Sequence, residues 1–241
     1  NAIDISPSGT WMAVLPHQDE DLALNNRFYR ISDLANGTTT NPVYVDSEIN
    51  ASNDDFRSIG HNGWALDADG NEVLVYQDNR DPEECLKYFD PAVTSTGPLN
   101  RFLGTGPTVT YGVSTDILQL DVDLDFFSAQ GTINNHIGRL SHPDKPGWLF
   151  MSTYMLYDKT DRPLANDLLM MEVKPRDANP RIWYVVDNHN DYRSGAYFTE
   201  AFAALSNDGN SIYYAGNWNS TDNLELYEVK LPADWADVLA Q

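Results

Sequence analysis

The sequence predicts an all-β fold, because one hairpin pattern recurs along the 241 residues. The clearest copy is His61–Gln77, in which the turn Asp67–Gly70 separates two apolar runs. An Asp-Gly turn favours a hairpin, since glycine takes the positive φ that the turn needs and aspartate tolerates it. The other copies also carry a glycine at the end of the turn; they are Asp4–Pro16, Gly138–Tyr154 and Ala201–Trp218.

Further strand candidates follow each hairpin. In chain order they are Arg27–Ser32, Pro42–Asp46, Asp116–Asp123, a weak strand near Phe127–Ile133, Asp167–Lys174, Arg181–Val186 and Leu224–Leu231. A segment rich in proline, glycine and asparagine, Asp78–Tyr111, is predicted to be a long insertion in the second unit. In the tail, Ala233–Gln241, we expect at least one helical turn.

Units of about four antiparallel strands, with no long helix between them, predict a β-propeller with four blades. The units lie near 2–48, 58–133, 134–190 and 197–231 within one domain, 1–241. A β-sandwich is the main alternative, but it predicts less regular internal similarity. The fourth unit has only three clear strands, so two interpretations stay open. The chain is either a four-bladed propeller or the later part of a larger one, whose further blades lie on another chain or were removed.

Three of the turns share a more specific pattern. They read Ser6-Pro-Ser-Gly9, Asp67-Ala-Asp-Gly70 and Ser206-Asn-Asp-Gly209, each followed by an apolar strand. This pattern resembles the WD40-like or TolB-type propeller repeat, and the resemblance covers roughly residues 2–231. The third unit departs from it, because its turn Ser141–Gly147 is longer. The resemblance implies the fold and leaves the function open, because propellers carry many unrelated activities.

The charge of the chain restricts its partners. It has 15 Lys+Arg against 36 Asp+Glu, a formal net charge of −21. Nucleic acids and anionic membranes both need a cationic surface, so neither is expected as a partner. No apolar run is long enough to cross a membrane. The acidity is typical of secreted proteins, and the chain begins with a strand-like segment, as expected after removal of an export signal. We therefore expect an extracellular or periplasmic location.

Blade geometry predicts where a site should lie. Because successive strands run antiparallel, the start of each first strand and the end of each second strand share one face. When the units are aligned on the last apolar residue before the turn, His61, His136 and Glu200 fall at one place. Each of them also has a structural interpretation, since a histidine at a strand start can cap backbone groups.

Loops that reach the same face add further candidates. They supply Arg80, Tyr154, Asn217 and Trp218, and the crossover Asp187–Tyr197 adds His189, Tyr192 and Arg193. Aromatic residues near strand ends also pack between blades, and an arginine also pairs with a nearby carboxylate. The functional interpretation depends on their convergence from separate segments.

A carboxylate row suggests a metal site. Asp121, Asp123 and Asp125 alternate, so on a strand they share one side and repel one another. Calcium would relieve the repulsion through oxygen ligands. The alternative is a solvated edge strand whose charges prevent edge-to-edge pairing. Calcium is the one cofactor that the sequence suggests.

Two functions follow from these residues. The first is β-elimination on an acidic polysaccharide, with His61 or His136 as base, Tyr192 or Tyr154 as acid, and Arg193 binding the uronate carboxylate. The residues expected to bind substrate are Glu200, His189, Asn217, Trp218 and Arg80. The residue types and architecture resemble those of propeller-fold polysaccharide lyases, although the acidity of the chain disfavours an anionic substrate. The alternative is a non-catalytic module that binds carbohydrate or another protein chain.

Overall fold

The protein is built from strands, which confirms the all-β expectation. The computed structural model describes residues 2–15, 27–37, 42–45, 60–78, 85–100, 105–120, 123, 127–128, 131–138, 142–155, 164–190, 200–206, 208–218 and 224–239. Within these ranges no helix has the length and apolar character needed to span a bilayer.

The strands form four successive antiparallel groups, which we name sheets I to IV. Sheet I consists of β1 (Ala2–Ile5), β2 (Trp11–Leu15), β3 (Arg27–Arg30) and β4 (Val43–Tyr44), with helix α1 (Ile31–Ala35) between the last two. Sheet II consists of β5 (Gly60–Leu66), β6 (Glu72–Asp78), β7 (Cys85–Asn100) and β8 (Thr105–Gln119). Strands β4 and β8 pair in parallel, so sheets I and II are halves of one curled eight-stranded sheet.

The second half of the chain forms the other two sheets. Sheet III consists of β9 (Phe127–Ser128), β10 (Gly131–Gly138), β11 (Trp148–Met155), β12 (Asp167–Glu172) and β13 (Ile182–Asp187), with a short 3-10 helix (Arg176–Ala178) between the last two. Sheet IV consists of β14 (Ala204–Leu205), β15 (Ser211–Gly216) and β16 (Glu225–Lys230), followed by helix α2 (Trp235–Leu239). The hairpins of sheets I, II and IV and the helical turn in the tail lie where the sequence predicts them. The third hairpin was wrongly placed, because its first strand, β10, ends at Gly138, where the predicted strand begins. The weak strand predicted near Phe127–Ile133 for the second unit corresponds to β9 and the start of β10, which belong to sheet III.

The predicted insertion Asp78–Tyr111 is the main error of the sequence interpretation. Most of it forms β7 and the start of β8, which pair over nearly their whole length. The register between them shifts after Asp90 and again after Pro98. Proline cannot donate to a ladder of hydrogen bonds and is tolerated in strands at such irregularities, so the breaker residues do not end the strand. The predicted strand Asp116–Asp123 is also too long, since β8 ends at Gln119.

The hydrophobic core lies between consecutive sheets. Three buried clusters join sheets I and II, sheets II and III, and sheets III and IV, respectively. Single strands contribute to two clusters by alternation: Val73 and Val75 of β6 face sheet III, whereas Leu74 and Tyr76 face sheet I. The side chains of a strand alternate between its two faces, so β6 buries both. The terminal strands differ, because Ile3 of β1 and Leu226 of β16 are 67% and 74% exposed.

The hairpin turns of sheets I, II and IV share one hydrogen-bond scheme. The residues at their starts are Ser6, Asp67 and Ser206, and each carbonyl accepts from the amide of the glycine three positions on. Each of these side chains also accepts from a backbone amide on the far side of the turn. The third turn is different, because the Gly147 amide donates instead to Leu66 O of sheet II. The longer turn in the sequence predicts this departure.

Contacts between turns connect the sheets in chain order. The Glu72 carboxylate accepts from the Ser6 hydroxyl at 2.7 Å, the Ser8 amide at 2.6 Å and the Ser8 hydroxyl at 2.8 Å, which joins sheets I and II. Lys145 Nζ donates to Gly209 O and Asn210 Oδ1, which joins sheets III and IV. Neighbouring turns are therefore connected at one end of the molecule.

Loss of the Glu72 carboxylate should loosen sheet I from sheet II. We expect Glu72→Ala to lower the free energy of unfolding by about 1–2 kcal/mol, because hydrogen bonds to charged groups contribute more than neutral ones. Chemical denaturation measures the change. The double variant with Ser8→Ala should lose less free energy of unfolding than the sum of the losses in the two single variants, because both changes remove the same contact. Additive losses would show that Glu72 and Ser8 are not coupled. Glu225→Ala, on the exposed strand β16, is the matched control.

Candidate functional site

The candidate residues gather at the end of the sheets opposite to the hairpin turns. His61 lies at the start of β5, Tyr154 near the end of β11, and Glu200 shortly before β14. Alternation of strand direction places these positions at one end of their sheets. His136 lies within β10, opposite Ser152 of β11.

Four of these side chains, together with Phe202, which was not a candidate, form what we name the histidine cluster: His61, His136, Tyr154, Glu200 and Phe202. The His136 ring centre lies 4.5 Å from that of His61, 5.0 Å from that of Tyr154 and 4.2 Å from that of Phe202. Tyr154 is stacked on His136 with 19° between the ring planes. Three different sheets thus contribute to one group.

Glu200 fixes the orientation of the central imidazole. Its Oε2 lies 2.6 Å from His136 Nε2, and the two side chains are only 4% and 12% exposed. A short contact with a buried carboxylate favours the tautomer of neutral His136 that carries its proton on Nε2. The lone pair of the other nitrogen, Nδ1, then stays available as a base.

His61 reaches the cluster through an irregularity in β5. Gly60 pairs with Gln77 and Asn62 with Tyr76, so His61 is the extra residue of a β-bulge. Bulges redirect a side chain and are common beside functional sites. The Nδ1 atom of His61 is buried without a hydrogen-bond partner among the described residues, and so is Oδ1 of Asn135.

The cluster holds its histidines in the neutral form. Burial lowers the pKa of His61 to about 4, and the nearby His136 lowers it further, against opposing contributions from Asn135, Glu200 and Gln77. Burial also lowers the pKa of His136 to about 4. Two adjacent imidazoles with depressed pKa values are both uncharged at neutral pH, which is the form that accepts a proton.

Sequence reasoning missed two polar residues of this region. Asn135 and Gln77 are 0% and 4% exposed, and Asn135 Nδ2 donates to Gln77 Oε1 at 3.2 Å between sheets III and II. The available signal was Gln77 itself, a polar residue that directly follows the apolar run Val73–Tyr76. Buried amides need partners, so this pair helps to fix β10 beside β5.

A second group, which we name the aromatic platform, consists of His189, Trp218 and Tyr227. The ring centres of His189 and Trp218 are 4.2 Å apart, and those of Trp218 and Tyr227 are 5.2 Å apart. Trp218 is 51% exposed. Asn188 precedes His189, and its side-chain Nδ2 donates to Thr153 O. This bond connects the loop of the platform to β11, the strand that carries Tyr154.

A pair of carboxylates lies beside the platform. Asp167 and Asp187 are direct partners across β12 and β13, and the Asp187 carboxylate accepts from the His189 amide at 2.6 Å. Burial, followed by the charge of Asp187, raises the pKa of Asp167 to about 7. Asp167 therefore titrates near neutral pH.

The remaining predicted site residues are elsewhere or are not described. Asn217 is buried, and its backbone N–H donates to Asn190 Oδ1 at 3.1 Å. Tyr192, Arg193, Arg80, Asp121 and Asp125 lie outside the described residues. Asp123 lies beyond the end of β8 and forms two 2.9 Å hydrogen bonds with Arg176. An arginine thus relieves the charge of the one carboxylate of the predicted calcium row that is described.

The same ion pair borders a cleft of about 620 Å³ on another part of the surface. It is lined by Leu118, Asp123, Arg176, Asp177, Asn179, Pro180 and Ile182. None of the predicted catalytic residues is in this lining. In the described part of the chain, no three histidine, cysteine, aspartate or glutamate side chains are grouped so as to hold a metal ion.

Comparison with known proteins adds no relative, since no family model, no curated protein and no solved structure matches the chain. The resemblance to WD40-like and TolB-type repeats stays a prediction from the turn pattern.

The histidine cluster predicts loss of stability in acid. Both histidine pKa values are lower in the folded protein than the unfolded value of 6.5, so protons bind preferentially to the unfolded chain. The stability due to neutral histidines is fully present above about pH 6.5 and is lost as the pH falls towards about 4. We expect the stability difference between the wild type and His136→Asn to shrink over that range in chemical denaturation. His142→Asn, in the hairpin turn, controls for loss of a histidine elsewhere, and a difference independent of pH would contradict the prediction.

Asp167 predicts the opposite trend. The pKa of Asp167 in the folded protein, about 7, is above the value of 3.8 in an unfolded chain, so its contribution to stability is greatest in acid and is lost as the pH rises from about 4 to about 7. Asp167→Asn keeps an uncharged side chain and should therefore gain stability relative to the wild type above neutral pH. Denaturation at several pH values tests this. In an Asp187→Asn background the gain in stability from Asp167→Asn should be smaller, because the neighbouring charge is absent. A loss of stability in Asp167→Asn that is the same at all pH values would contradict the prediction.

Proposed function

We propose that the chain is a secreted β-propeller that cleaves an acidic polysaccharide by β-elimination at the histidine cluster. The propeller arrangement is supported by the clusters of core residues between successive sheets and by the turn contacts that follow chain order. The observation that carries the activity is the convergence of His61, His136, Tyr154 and Glu200 from three sheets.

β-Elimination requires a base and an acid. The base removes the proton from the carbon beside the uronate carboxylate, a carbon–carbon double bond forms, and the glycosidic oxygen on the next carbon leaves with a proton from the acid. His136 is assigned as base, because its imidazole is neutral and its Nε2 is held by Glu200. Glu200 is a positioning residue. Tyr154, stacked on His136, is assigned as acid.

A uronate substrate also needs a positive partner. The chain has a net charge of −21, which disfavours an anionic ligand. Arg193 is the proposed partner for the carboxylate, because guanidinium binds carboxylate through two parallel hydrogen bonds. Tyr192, its neighbour in the sequence, stays an alternative acid. Both residues are assigned from the sequence alone.

Binding of carbohydrate without cleavage is the second candidate, and the aromatic platform favours it. Trp218 is exposed beside the rings of His189 and Tyr227. Such a surface can bind a ligand without a catalytic acid and base. The histidine cluster would then serve to hold sheets II, III and IV together. Assays of turnover and of binding distinguish the two candidates.

Turnover is tested with polygalacturonate, alginate and glucuronan, by the ultraviolet absorbance of the unsaturated uronate produced. We expect cleavage of at least one polymer by the wild type. His136→Asn should lower kcat by about 100-fold or more, the contribution typical of general acid–base catalysis. Glu200→Gln should lower kcat less, because the amide keeps part of the contact that orients the ring.

The matched control is His142→Asn, which removes a histidine in the hairpin turn at the opposite end of sheet III. Circular dichroism establishes that each variant is folded. Wild-type protein that cleaves none of the polymers would overturn the lyase assignment. Full turnover in folded His136→Asn would overturn the role of His136 as base.

A further inference from the structure

We infer that the aromatic platform is a sugar-binding subsite for an uncharged pyranose unit of a polysaccharide. This inference rests on the proposed function only in that both concern a polysaccharide, and it does not require cleavage. It assigns a ligand class to His189, Trp218 and Tyr227, which take no part in the proposed elimination.

The geometry of the platform suits a sugar ring. Trp218 is 51% exposed and has His189 at 4.2 Å, tilted by 51°, and Tyr227 at 5.2 Å, tilted by 32°. The C–H groups on one face of a pyranose pack against an aromatic face, as other apolar groups do, while the hydroxyls at its edge need hydrogen-bond partners. A large exposed indole held by neighbouring rings offers such a surface.

Two residues of the platform, His189 and Trp218, have strained backbone. The φ angles of His189 and Trp218 are 53° and 46°, in the left-handed region that bulky residues rarely adopt. Such strain persists only where the surroundings enforce it, and it concentrates at binding sites. Core packing does not explain it at Trp218, since half of that residue is exposed.

Buried asparagines hold the two loops in this strained form. Asn188 and Asn190 are 0% and 4% exposed, and Asn188 Nδ2 donates to Thr153 O at 3.1 Å. Asn190 Nδ2 donates to Ala215 O at 3.2 Å, and Asn190 Oδ1 accepts from the backbone N–H of Asn217 at 3.1 Å. The loop of His189 is thereby tied to the loop of Trp218. A pre-organised platform loses little conformational entropy when a ligand binds.

The neighbouring charge selects the ligand. Asp187 Oδ1 lies 3.5 Å from His189 Nδ1, and the Asp187 side chain is 48% exposed. Carboxylates accept hydrogen bonds from sugar hydroxyls but repel the carboxylate of a uronate. The platform therefore fits an uncharged unit better than a uronate, so the polymer bound here contains neutral sugars.

Isothermal titration calorimetry with soluble xylan, galactan, glucomannan and polygalacturonate tests the inference. We expect at least one neutral polymer to bind, and Trp218→Ala to weaken that binding by about tenfold or more, since stacking on an aromatic ring contributes on the order of one factor of ten. Trp218→Phe, which keeps an aromatic ring, should retain more of the affinity. Tyr213→Ala removes another exposed aromatic residue of sheet IV, 38% exposed, and should leave binding unchanged.

Each other outcome overturns the inference. Equal affinity of Trp218→Ala and wild type, or binding of none of the neutral polymers, removes the subsite. Binding through Trp218 that favours polygalacturonate removes the selection for an uncharged unit. Failure of the lyase proposal looks different, because the wild type then forms no unsaturated product while neutral polymer still binds through Trp218.

Discussion

Burial of both faces of the inner sheets is the constraint on which the structure depends. In β6, Val73 and Val75 pack towards sheet III while Leu74 and Tyr76 pack towards sheet I. In β11, Leu149 and Met151 face sheet II while Trp148 and Phe150 face sheet IV. A strand with two buried faces must be apolar at nearly every position. The order of the sheets thus follows from the order of these strands in the chain.

The same packing brings the candidate site together. Once β5 and β10 lie side by side, residues far apart in sequence become neighbours. The His61 and His136 rings come within 4.5 Å, and the segment before β14 brings Glu200 to His136. Desolvation follows from this crowding and keeps both imidazoles neutral. Packing between sheets therefore produces both the position and the protonation state of these side chains.

Much of this arrangement could be predicted from local sequence. Asp67 and Gly70 predict their hairpin, because turn geometry is set by a few adjacent residues. Alignment of the repeats placed His61, His136 and Glu200 together without coordinates. The sequence could not reveal the long pairing of β7 with β8, because register shifts accommodate prolines that normally end strands. It also could not reveal the bulge at His61 or the partnership of Asn135 with Gln77, since both depend on which strands become neighbours.

Arrangement of the sheets in series has a consequence for how the protein opens. Strands of sheets II and III pack against other sheets on both faces, whereas the terminal strands β1 and β16 expose apolar residues such as Ile3 and Leu226 to water. Fluctuations should therefore begin at the first and last sheets and reach the central pair only when most of the cooperative structure is lost. Amide protons of β6 and β11 would exchange slowest. As unfolding proceeds from the first and last sheets, the cluster around His136 would remain folded after the surface formed by Trp218 is lost.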